Sequence, residues 1–594
     1  MSWLGEKRDW PISRQLWWGH QIPVWSQRVE SEAAAEELVA KIGGLKHWDV
    51  NNVSIQVEHC DEADENKRQQ LELPFATVHV CVGLEGSSVE QEIESLGLVR
   101  EEDVLDTWFS SALWTHSTLG WPQETSELKK FYPTSTLITS RDIITLWVAR
   151  MVLMGLNNMG EVPFKDVFIH PKILDAYGET MSKSKGNGID PLDIIKKYGA
   201  DALRFAMADL TTDTQDVKLP VQFECPHCEH TFDQTKKNRE LPVVECTNKS
   251  CGKSFSTQWA ETEEHKAIVR GASTSERFEK SRNFVNKLWN ASRFAMMNLE
   301  GYEAAPIEVD QMTIEDRWLM SRLFNVTQSV GEALEGFRYA EATSVLYDFA
   351  WNDFCSFFLE IIKDRLSDDA RRPHAQRMLV FGLDSLMRLL HPFLPFLTEE
   401  IWQILNRIAP QRGMSAENAS ESVVRASWPE IDASFDSETI NAQFAHFQNT
   451  LGALREIRHK QQLDKKPIRF SIKCVDSIRE SLQPMASYFQ SMAKAELTDI
   501  GPGIEPPAVN ATLIRGELEL FVDLDGLIDK DAEKKRLEKE KANKEKMIAG
   551  KKGKLSSEKF VNGAPAEIVQ RERNGLAKLE EELQVVESAL ASLG

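Results

Sequence analysis

Apolar residues recur at spacings of three and four through much of the chain between Ser275 and Asp432. This spacing places them on one face of an α-helix. We expect several such helices to pack antiparallel as a bundle over residues 275–436. The segments that show the pattern are RNFVNKLWNASRF, DRWLMSRLFNVTQSVGEAL, FRYAEATSVLYDFAWNDFCSFFLEIIKDRL and MLVFGLDSLMRLLHPFLPFLTEEIWQIL.

Strand-like and helix-like patterns alternate in the N-terminal third. A short strand leads into a buried helix within Leu137–Leu156, and KDVFIHPKILDAYGE predicts strand, turn and strand. This alternation is typical of an open α/β sheet, which we assign to residues 1–30 and 96–216. The stretch 31–95 is polar and irregular with one β-like run, Phe75–Val82, and is predicted to be an insertion.

The C-terminal part has two further patterns. Residues 437–526 mix a helix with strands such as IRFSIKCV and GELELFVDL, which predicts a small α/β connector. Within 527–594, eleven Lys or Arg residues lie between Lys530 and Lys554, ahead of a helix with a heptad seam. We expect an antiparallel two-helix coiled coil about 35 Å long, at 1.5 Å per residue. The seam consists of Leu576, Leu579, Leu583, Val586, Leu590 and Leu593.

Length and charge limit the class of protein. The chain has 594 residues, too many for one core, and a formal net charge of −22 at pH 7. This charge argues against indiscriminate nucleic-acid binding, so any RNA contact must come from local basic surfaces. Because the sequence has neither a run of about 18 apolar residues nor a signal-peptide pattern at its start, we expect a cytoplasmic location and no membrane partner.

Four of the eight cysteines form two pairs in a segment of their own, which we delimit as residues 217–274. Cys225 and Cys228 form a CxxC pair, and Cys246 and Cys251 follow after seventeen residues. This spacing is that of a zinc ribbon with four thiolates around a structural zinc ion. The alternatives are two disulfides or a site that has lost its metal. A catalytic role is not expected, because four cysteines leave no open ligand position.

The loop TMSKSKGN, residues 180–187, has the chemistry of a polyphosphate site. Ser182 and Ser184 carry hydroxyls, Lys183 and Lys185 carry ammonium groups, and Gly186 lets the backbone approach closely. A helix pattern starts directly afterwards, and helix N-termini favour anions. A basic surface loop without a ligand is the alternative interpretation of these eight residues taken alone.

Five motifs in a fixed order decide between these interpretations: RDWPISRQLWWGHQIPVW, DVLDTWFSSALW, DIITLWVARM, TMSKSKGNGIDPLD and KYGADALRF. Together they resemble the second half of the catalytic domain of the valyl-tRNA synthetases, which are class I enzymes. The resemblance implies a Rossmann-like nucleotide-binding domain. It also implies a ligase that activates valine with ATP, bound with Mg²⁺, and transfers it to tRNA(Val).

The same resemblance implies roles for individual residues. Lys183 is expected to contact the ATP phosphates and to stabilise charge as pyrophosphate leaves, with Ser182 and Ser184 beside it. Met181 and Asp142 are expected at the ATP or adenylate site. The motif departs from the family pattern KMSKS at Thr180, which replaces the first lysine.

An apolar pocket for the valine side chain is also implied. Trp108, Ile143 and Trp147 match its walls, although ordinary core packing is the alternative for each tryptophan. Ser140 and Arg141 stand where the family has a glycine and an aromatic residue, which weakens the expectation of close adenosine packing there.

The C-terminal two-thirds extend the resemblance. HPFLPFLTEEIW and RASWPE resemble the anticodon-binding domain of the valyl, isoleucyl and leucyl enzymes, and KLSSEKFVNGAPAEIV resembles the valyl enzyme's tRNA-binding arm. In that arm we expect Lys534, Lys535 and Arg536 to contact the RNA backbone. An isoleucine-specific relative is an alternative, although its tail typically ends in a metal-binding module.

No segment of the 594 residues resembles the HIGH motif, its half of the nucleotide-binding fold, or the editing domain. Half of a doubly wound sheet would expose an apolar flank larger than a monomer tolerates. We therefore expect a separately encoded N-terminal half as partner, or poor order in the N-terminal region. The alternative is a non-catalytic or truncated tRNA-binding protein.

Overall fold

The computed structural model describes residues 9–50, 52–60, 74–83, 87–212, 215–463, 466–527, 530–557, 560 and 565–592. The chain divides into two compact units. The first comprises residues 1–172 with 213–215, and the second comprises 173–212 with 216–594. Among the helices described, none is long and apolar enough to cross a membrane.

The first unit contains a four-stranded antiparallel sheet. Its strand order is Val53–His59, Ala76–Val82, Val24–Val29 and Val99–Arg100, and it packs against helices Glu32–Gly43 and Ser87–Ser95. Inward-facing side chains such as Trp25, Val78 and Val80 are fully buried. The expectation of an irregular insertion at 31–95 was therefore wrong in this respect. The region is a regular α/β layer, and its sheet uses strands from both sides of the predicted segment.

A strand–helix–strand unit follows in the same compact unit. Strands Thr134–Ser140 and Phe164–His170 pair in parallel. They are joined by the 3₁₀ turn Arg141–Ile143, the π-helical turn Ile144–Val148 and helix Ala149–Met159. The predicted entry from a strand into a helix is confirmed, but only one helix face is buried, since Met151 is enclosed while Leu153 is 55% exposed. The remaining elements of the unit are strands Ser13–Arg14 and Val104–Leu105, which pair with each other, and helices Thr107–Ala112, Trp114–Ser117 and Ser126–Phe131.

The second unit begins with the strand that precedes the TMSKSKGN loop. Ile173–Leu174 pairs in parallel with Val217–Lys218, and helices Pro191–Tyr198 and Ala200–Asp209 lie between them in sequence. Phe205 joins the core of the helical bundle, where its ring lies 4.9 Å from that of Phe284. Because of this packing, the boundary between the compact units falls within the domain predicted at 96–216.

The cysteine-containing segment consists of short strands. Thr231–Asp233, Gln222–Glu224 and Ala272–Thr274 form a three-stranded sheet in that order, while Val243–Glu245 pairs with Ser254–Ser256. Helix Glu263–Lys266 follows the second pair. Phe223 of the three-stranded sheet and Phe255 of the pair are buried, with their ring centroids 6.1 Å apart.

The predicted helical bundle is confirmed. One continuous core runs through it, and a buried ion pair ties its helices, since Arg365 donates to both carboxylate oxygens of Asp316 at 2.8 and 2.6 Å. The helices are Glu279–Met297, Ile314–Glu335, Tyr339–Asp348, the π-helical Phe349–Phe358, Leu359–Ile361, Lys363–Leu366, Arg372–Leu390 and Pro395–Ile408. Strands Gln411–Arg412 and Glu417–Asn418 form a small hairpin after them.

The connector is a mixed sheet covered by helices, as the sequence predicted. Its strand order is Ala495–Gly501, Ile468–Lys473, Leu518–Asp523 and Asn510–Arg515. Helices Glu438–Lys460, Asp476–Leu482 and Ala486–Ala493 accompany the sheet.

The chain ends in a hairpin of two helices, Lys530–Ser556 and Ala566–Ser592. Each has 27 residues, so each is about 40 Å long, slightly longer than predicted. Lys541 pairs with Glu587 at 2.8 Å and Lys552 pairs with Glu580 at 2.7 Å. These pairings run in opposite directions along the two helices, which establishes the antiparallel arrangement.

Candidate functional site

The TMSKSKGN loop is held by one buried asparagine. The Asn187 side chain donates to Asp175 Oδ2 at 2.9 Å and to the Thr180 carbonyl at 3.3 Å, and its Oδ1 accepts from the Ser182 amide at 3.0 Å. Asn187 is 1% exposed and Asp175 is 3% exposed. The loop therefore closes on itself from Thr180 to Asn187.

The Asp175 carboxylate accepts several hydrogen bonds. Its Oδ1 accepts from the amides of Tyr177 and Glu179, both at 2.9 Å. Burial favours the neutral acid, but the hydrogen bonds from Asn187 and these amides outweigh it and hold the pKa of Asp175 below its usual value. The anchor is thus a charged carboxylate, which makes stronger hydrogen bonds than a neutral one.

The predicted phosphate-binding residues lie on the outer part of the loop. Lys183 begins the 3₁₀ turn Lys183–Lys185, and its side chain is outside the described part of the structure. Ser184 is exposed, and its hydroxyl lies 3.1 Å from that of Ser182. Met181 is half-buried and packs on the small core around Ile194, so it anchors the loop.

The helix after the loop is already capped. Asp190 accepts from the Leu192 amide at 2.9 Å, and Pro191 occupies the first turn. A carboxylate therefore uses part of the helix N-terminus that the sequence suggested for an anion. The loop hydroxyls and ammonium groups are the groups better suited to phosphate.

In the first unit, Asp142 is paired. Lys172 donates to its carboxylate at 2.9 Å and the Ser140 hydroxyl donates to it as well. These hydrogen bonds, that of Ser140 first, lower the pKa of Asp142 to about 2. The residue that replaces the family's glycine is thus a direct partner of the predicted adenylate-site aspartate.

The predicted pocket residues occupy neighbouring elements of this unit. Trp147 donates its indole N–H to the Ser111 carbonyl at 3.0 Å, which joins the π-helical turn to helix Thr107–Ala112. Trp108, on that helix, donates to the Pro11 carbonyl at 3.0 Å, and the Arg150 guanidinium lies 4.3 Å from its ring. Both tryptophans and Ile143 are half-buried, so each has surface left for a ligand. The loop and the pocket belong to different compact units.

The four predicted metal ligands come together. The Sγ atoms of Cys225 and Cys251 are 3.8 Å apart and those of Cys228 and Cys246 are 3.6 Å apart. All four lie within 4.8 Å of one another. Tetrahedral zinc with Zn–S bonds of about 2.3 Å places its sulfurs about 3.8 Å apart, so the donor set fits this ion. The short distances are not disulfide bonds, because S–S bonds are about 2.0 Å long.

The predicted tRNA-binding residues of the arm differ in exposure. Lys535 is exposed and Lys534 is half-buried, while the side chain of Arg536 is outside the described part. Further along the helix, lysines pair with glutamates of the second helix, as Lys544 does with Glu582 at 2.6 Å. Much of the basic run is thus engaged within the hairpin, which the sequence did not indicate.

Several residues of these sites had no signal in the sequence. Asn187 appeared only as the end of a motif, Asp175 lies twelve positions before it, and Lys172 falls in a strand pattern. The most distant is Gln234, which donates to the Gly186 carbonyl at 3.1 Å from 48 positions away. Spacing cannot indicate such contacts, because they depend on the fold.

Three family models match the chain. The model for class I tRNA synthetases (I, L, M and V) matches residues 1–220, that for the anticodon-binding domain of tRNA ligase matches 316–468, and that for the valyl tRNA synthetase tRNA binding arm matches 529–594. Together these matches make the chain similar, over three separate parts, to domains of the class I aminoacyl-tRNA synthetases.

Curated relatives narrow the class. A valine–tRNA ligase of Rhodopirellula baltica is 53% identical over 599 residues, which cover 100% of this chain and 57% of that ligase. Those of Syntrophotalea carbinolica and Thermotoga maritima are 37% and 34% identical, again over 100% of this chain and 54% and 55% of theirs. The chain is similar to valine–tRNA ligases over its whole length, and it spans about half the length of the curated relatives it matches.

Among solved structures, the ternary complex of Agrobacterium radiobacter K84 agnB2 LeuRS-tRNA-LeuAMS matches 72% of this chain and 43% of that chain, with 17% identity and a TM-score of 0.42.

Proposed function

We propose that this chain supplies the TMSKSKGN side of the ATP site, the valine pocket and the tRNA-binding parts of a valine–tRNA ligase. The observation that carries the proposal is the anchored loop. Asn187 and Asp175 hold both of its ends, while Ser184 projects from an exposed turn that also carries Lys183. An anchored base with a polar, cationic turn suits contact with a triphosphate.

In the first reaction, a valine carboxylate oxygen attacks the α-phosphorus of ATP and the bond to pyrophosphate breaks. Negative charge then accumulates on the leaving pyrophosphate. Lys183, with the hydroxyls of Ser182 and Ser184, neutralises that charge, and the Mg²⁺ carried by ATP supplies further positive charge. The chain's residues thus act by binding and charge stabilisation, without a covalent intermediate on the protein.

Trp108, Ile143 and Trp147 would contact the valine side chain in this proposal. Asp142 would bind the ammonium group of valine or the ribose of the adenylate. Its low pKa supports this role, because the carboxylate stays charged at neutral pH.

The rest of the catalytic domain must come from further sequence, on the same polypeptide or on a separate one. Large apolar side chains of the first unit support this. Trp17 and Trp18 are 105% and 92% exposed, and Ile138 on the parallel strand pair is 56% exposed. A surface of this kind indicates a missing protein contact. The HIGH-bearing half is the segment that the resemblance places there.

The second reaction transfers the valyl group to tRNA(Val). The bundle would bind the anticodon region, and the hairpin, whose heptad spacing favours a coiled coil, would contact the tRNA backbone. Zinc at the four cysteines would be structural, since it leaves no coordination position for a substrate.

ATP–pyrophosphate exchange tests the proposal. The chain would be assayed alone and together with the HIGH-bearing half of a related ligase, with valine or isoleucine. We expect valine-dependent exchange only in the assembled enzyme. Lys183→Ala should lower the rate about 10²–10³-fold, the effect of losing one charge-stabilising donor.

Lys196→Ala is the matched control, because this lysine is exposed on the helix that follows the loop. Its exchange rate should equal that of the wild type. Absence of exchange in the assembled enzyme, together with retained binding of tRNA(Val), would favour a non-catalytic tRNA-binding protein. A preference for isoleucine would contradict the assigned substrate.

A further inference from the structure

The cysteine segment, residues 217–274, contacts the TMSKSKGN loop through its first pair of strands. Cys225 and Cys228 lie in the turn between Gln222–Glu224 and Thr231–Asp233. Gln234, the next residue after this pair, is 8% exposed and donates its side-chain N–H to the Gly186 carbonyl at 3.1 Å. One metal-binding turn is therefore joined by a short strand to a residue that holds the loop.

The second pair of strands reaches the same glycine. Cys246 and Cys251 lie between Val243–Glu245 and Ser254–Ser256, and the chain continues to Trp259. The Trp259 indole N–H donates to the Arg239 carbonyl at 2.9 Å. A Cβ on Gly186 would lie only 2.3 Å from Trp259 Nε1 and 2.9 Å from the Arg239 carbonyl oxygen. Gly186 also has φ of +63°, so both its backbone conformation and its surroundings require glycine.

Two cations between the strand pairs bind the residue that precedes the loop. Lys236 and Arg239 contact Glu179 at 2.8 and 3.1 Å. Arg239 also lies 3.4 Å from Asp175, whose carboxylate holds Asn187. The side chains of Arg239 and Asp175 are 11% and 5% exposed, so their contact is shielded from water, whereas Lys236 is 57% exposed.

The four cysteines join the two strand pairs. Each pair contributes two thiols, and the rings of Phe223 and Phe255, one from each pair, lie 6.1 Å apart in the same small core as Cys225 and Cys246. A metal bound there fixes the position of Gln234 relative to Trp259. Gln234 hydrogen-bonds to Gly186 and the Trp259 indole lies against it, so the metal site and the loop are linked through both residues.

We propose that the cysteine segment is a metal-stabilised brace that positions the TMSKSKGN loop for ATP, with Gln234 as a positioning residue. The expected effect on ATP binding rests on the proposed function. The physical link between metal and loop does not depend on that function. The two parts are therefore tested by different measurements.

Hydrogen exchange, followed by mass spectrometry, tests the link in the full chain. Amides of the loop are compared before and after the metal is removed with EDTA, and in Gln234→Ala with metal present. We expect metal removal to accelerate exchange in the loop as well as in the cysteine segment. Gln234→Ala should accelerate loop exchange about fivefold, the effect of one net hydrogen bond, while the metal content stays unchanged.

Lys266→Ala is the matched control, because Lys266 belongs to the same segment and its ammonium group pairs with nearby Glu263 at 3.4 Å. It should leave loop exchange unchanged. Faster exchange confined to the cysteine segment after EDTA would overturn the brace. Gln234→Glu, which keeps the side-chain size but replaces the donor with a carboxylate, should behave like Gln234→Ala; wild-type exchange in this variant would also overturn the role of the hydrogen bond.

The consequence for ATP is measured in the assembled ligase. Gln234→Ala should raise the KM for ATP about fivefold while leaving the KM for valine unchanged. Equal changes in both constants would contradict a positioning role at the ATP site. If loop exchange responds to the metal while Lys183→Ala has no effect on pyrophosphate exchange, the brace stands and the proposed ATP role of the loop fails.

Discussion

Lys172 donates a hydrogen bond to the carboxylate of Asp142 at 2.9 Å, while the Ser140 hydroxyl binds the same carboxylate. The sequence assigned Asp142 to the adenylate site without a partner. Asp142 is therefore already held in place by its own compact unit, and any ligand ammonium group that bound it would share it with Lys172.

The low pKa of Asp142 predicts that the effect of removing its charge on kcat/KM for valine does not change with pH. At about 2 it lies below the usual carboxyl value, so the charge is present above about pH 4 and is lost only as pH falls through about 2. Asp142→Asn should lower kcat/KM for valine by the same factor at about pH 5.5 and about pH 8.5. A factor that shrinks at the lower pH would show that Asp142 titrates in that range.

Breaking the Asp316–Arg365 pair should cause a large loss of stability. Asp316→Asn removes the bidentate acidic partner of the buried Arg365 and leaves it the carboxylate of Glu315 at 3.0 Å. Breaking a buried pair in this way costs up to about 3–5 kcal/mol of the free energy of unfolding. Urea unfolding at neutral pH measures the change. Asp364→Asn, at an exposed position beside Arg365, is the control and should change stability by less than about 0.5 kcal/mol.

Acid should act on the same pair. Burial alone would raise the pKa of Asp316, but His374 and Arg365 lower it below the usual carboxyl value. Its contribution to stability is thus present above the usual carboxyl pKa and is lost as pH falls below that value. The stability of Asp316→Asn should depend less on pH in the acid range than that of the wild type; parallel curves would contradict this.

The cysteine cluster predicts a tightly bound metal. The wild type should retain one zinc ion per chain after dialysis, whereas Cys228→Ser should lose most of it because three thiolates bind more weakly than four. Metal analysis gives the result directly. Cys81→Ser, which changes an exposed cysteine of the four-stranded sheet, should retain the full amount.

The arm predicts a change in salt dependence. Reversing Lys534, Lys535 and Arg536 to Glu should weaken tRNA binding and reduce the slope of log K against log salt by about 0.9 for each phosphate that is no longer neutralised. Binding is measured at several salt concentrations. Lys552→Glu is the comparison, because Lys552 pairs with Glu580 at 2.7 Å. It should destabilise the hairpin with little effect on the slope, and an unchanged slope in the triple variant would assign the arm a scaffold role.

Local patterns predicted the elements whose apolar faces are long. The bundle helices and the strand leading into helix Ala149–Met159 are examples, because a regular spacing of apolar residues determines which face is buried. The sheet around 31–95 was missed, since two of its four strands, Val24–Val29 and Val99–Arg100, lie outside the segment. Strand pairing is a long-range property that no single stretch of sequence encodes.

The site was predictable only where a motif carried it. The loop and the four cysteines were indicated by motif or ligand spacing, and the valine-pocket residues stay a prediction from a motif. The partners that hold them, Asp175, Lys172 and Gln234, were not, because each contact joins residues that are close only in the folded chain. The sequence thus indicated the chemical groups, and only the fold shows which residues hold them in place.

The hairpin's ion pairs have a consequence for how it can hold RNA. Lys541, Lys544 and Lys551 already face carboxylates at 2.8, 2.6 and 2.5 Å, so these glutamates act as built-in counterions. A phosphate approaching such a lysine displaces a tethered carboxylate, which cannot diffuse away as a condensed sodium ion does. Contacts along this stretch therefore gain little from ion release. Any RNA contact along this stretch would then depend on shape, whereas Lys534, Lys535 and Arg536 remain the predicted sites of charge-dependent binding.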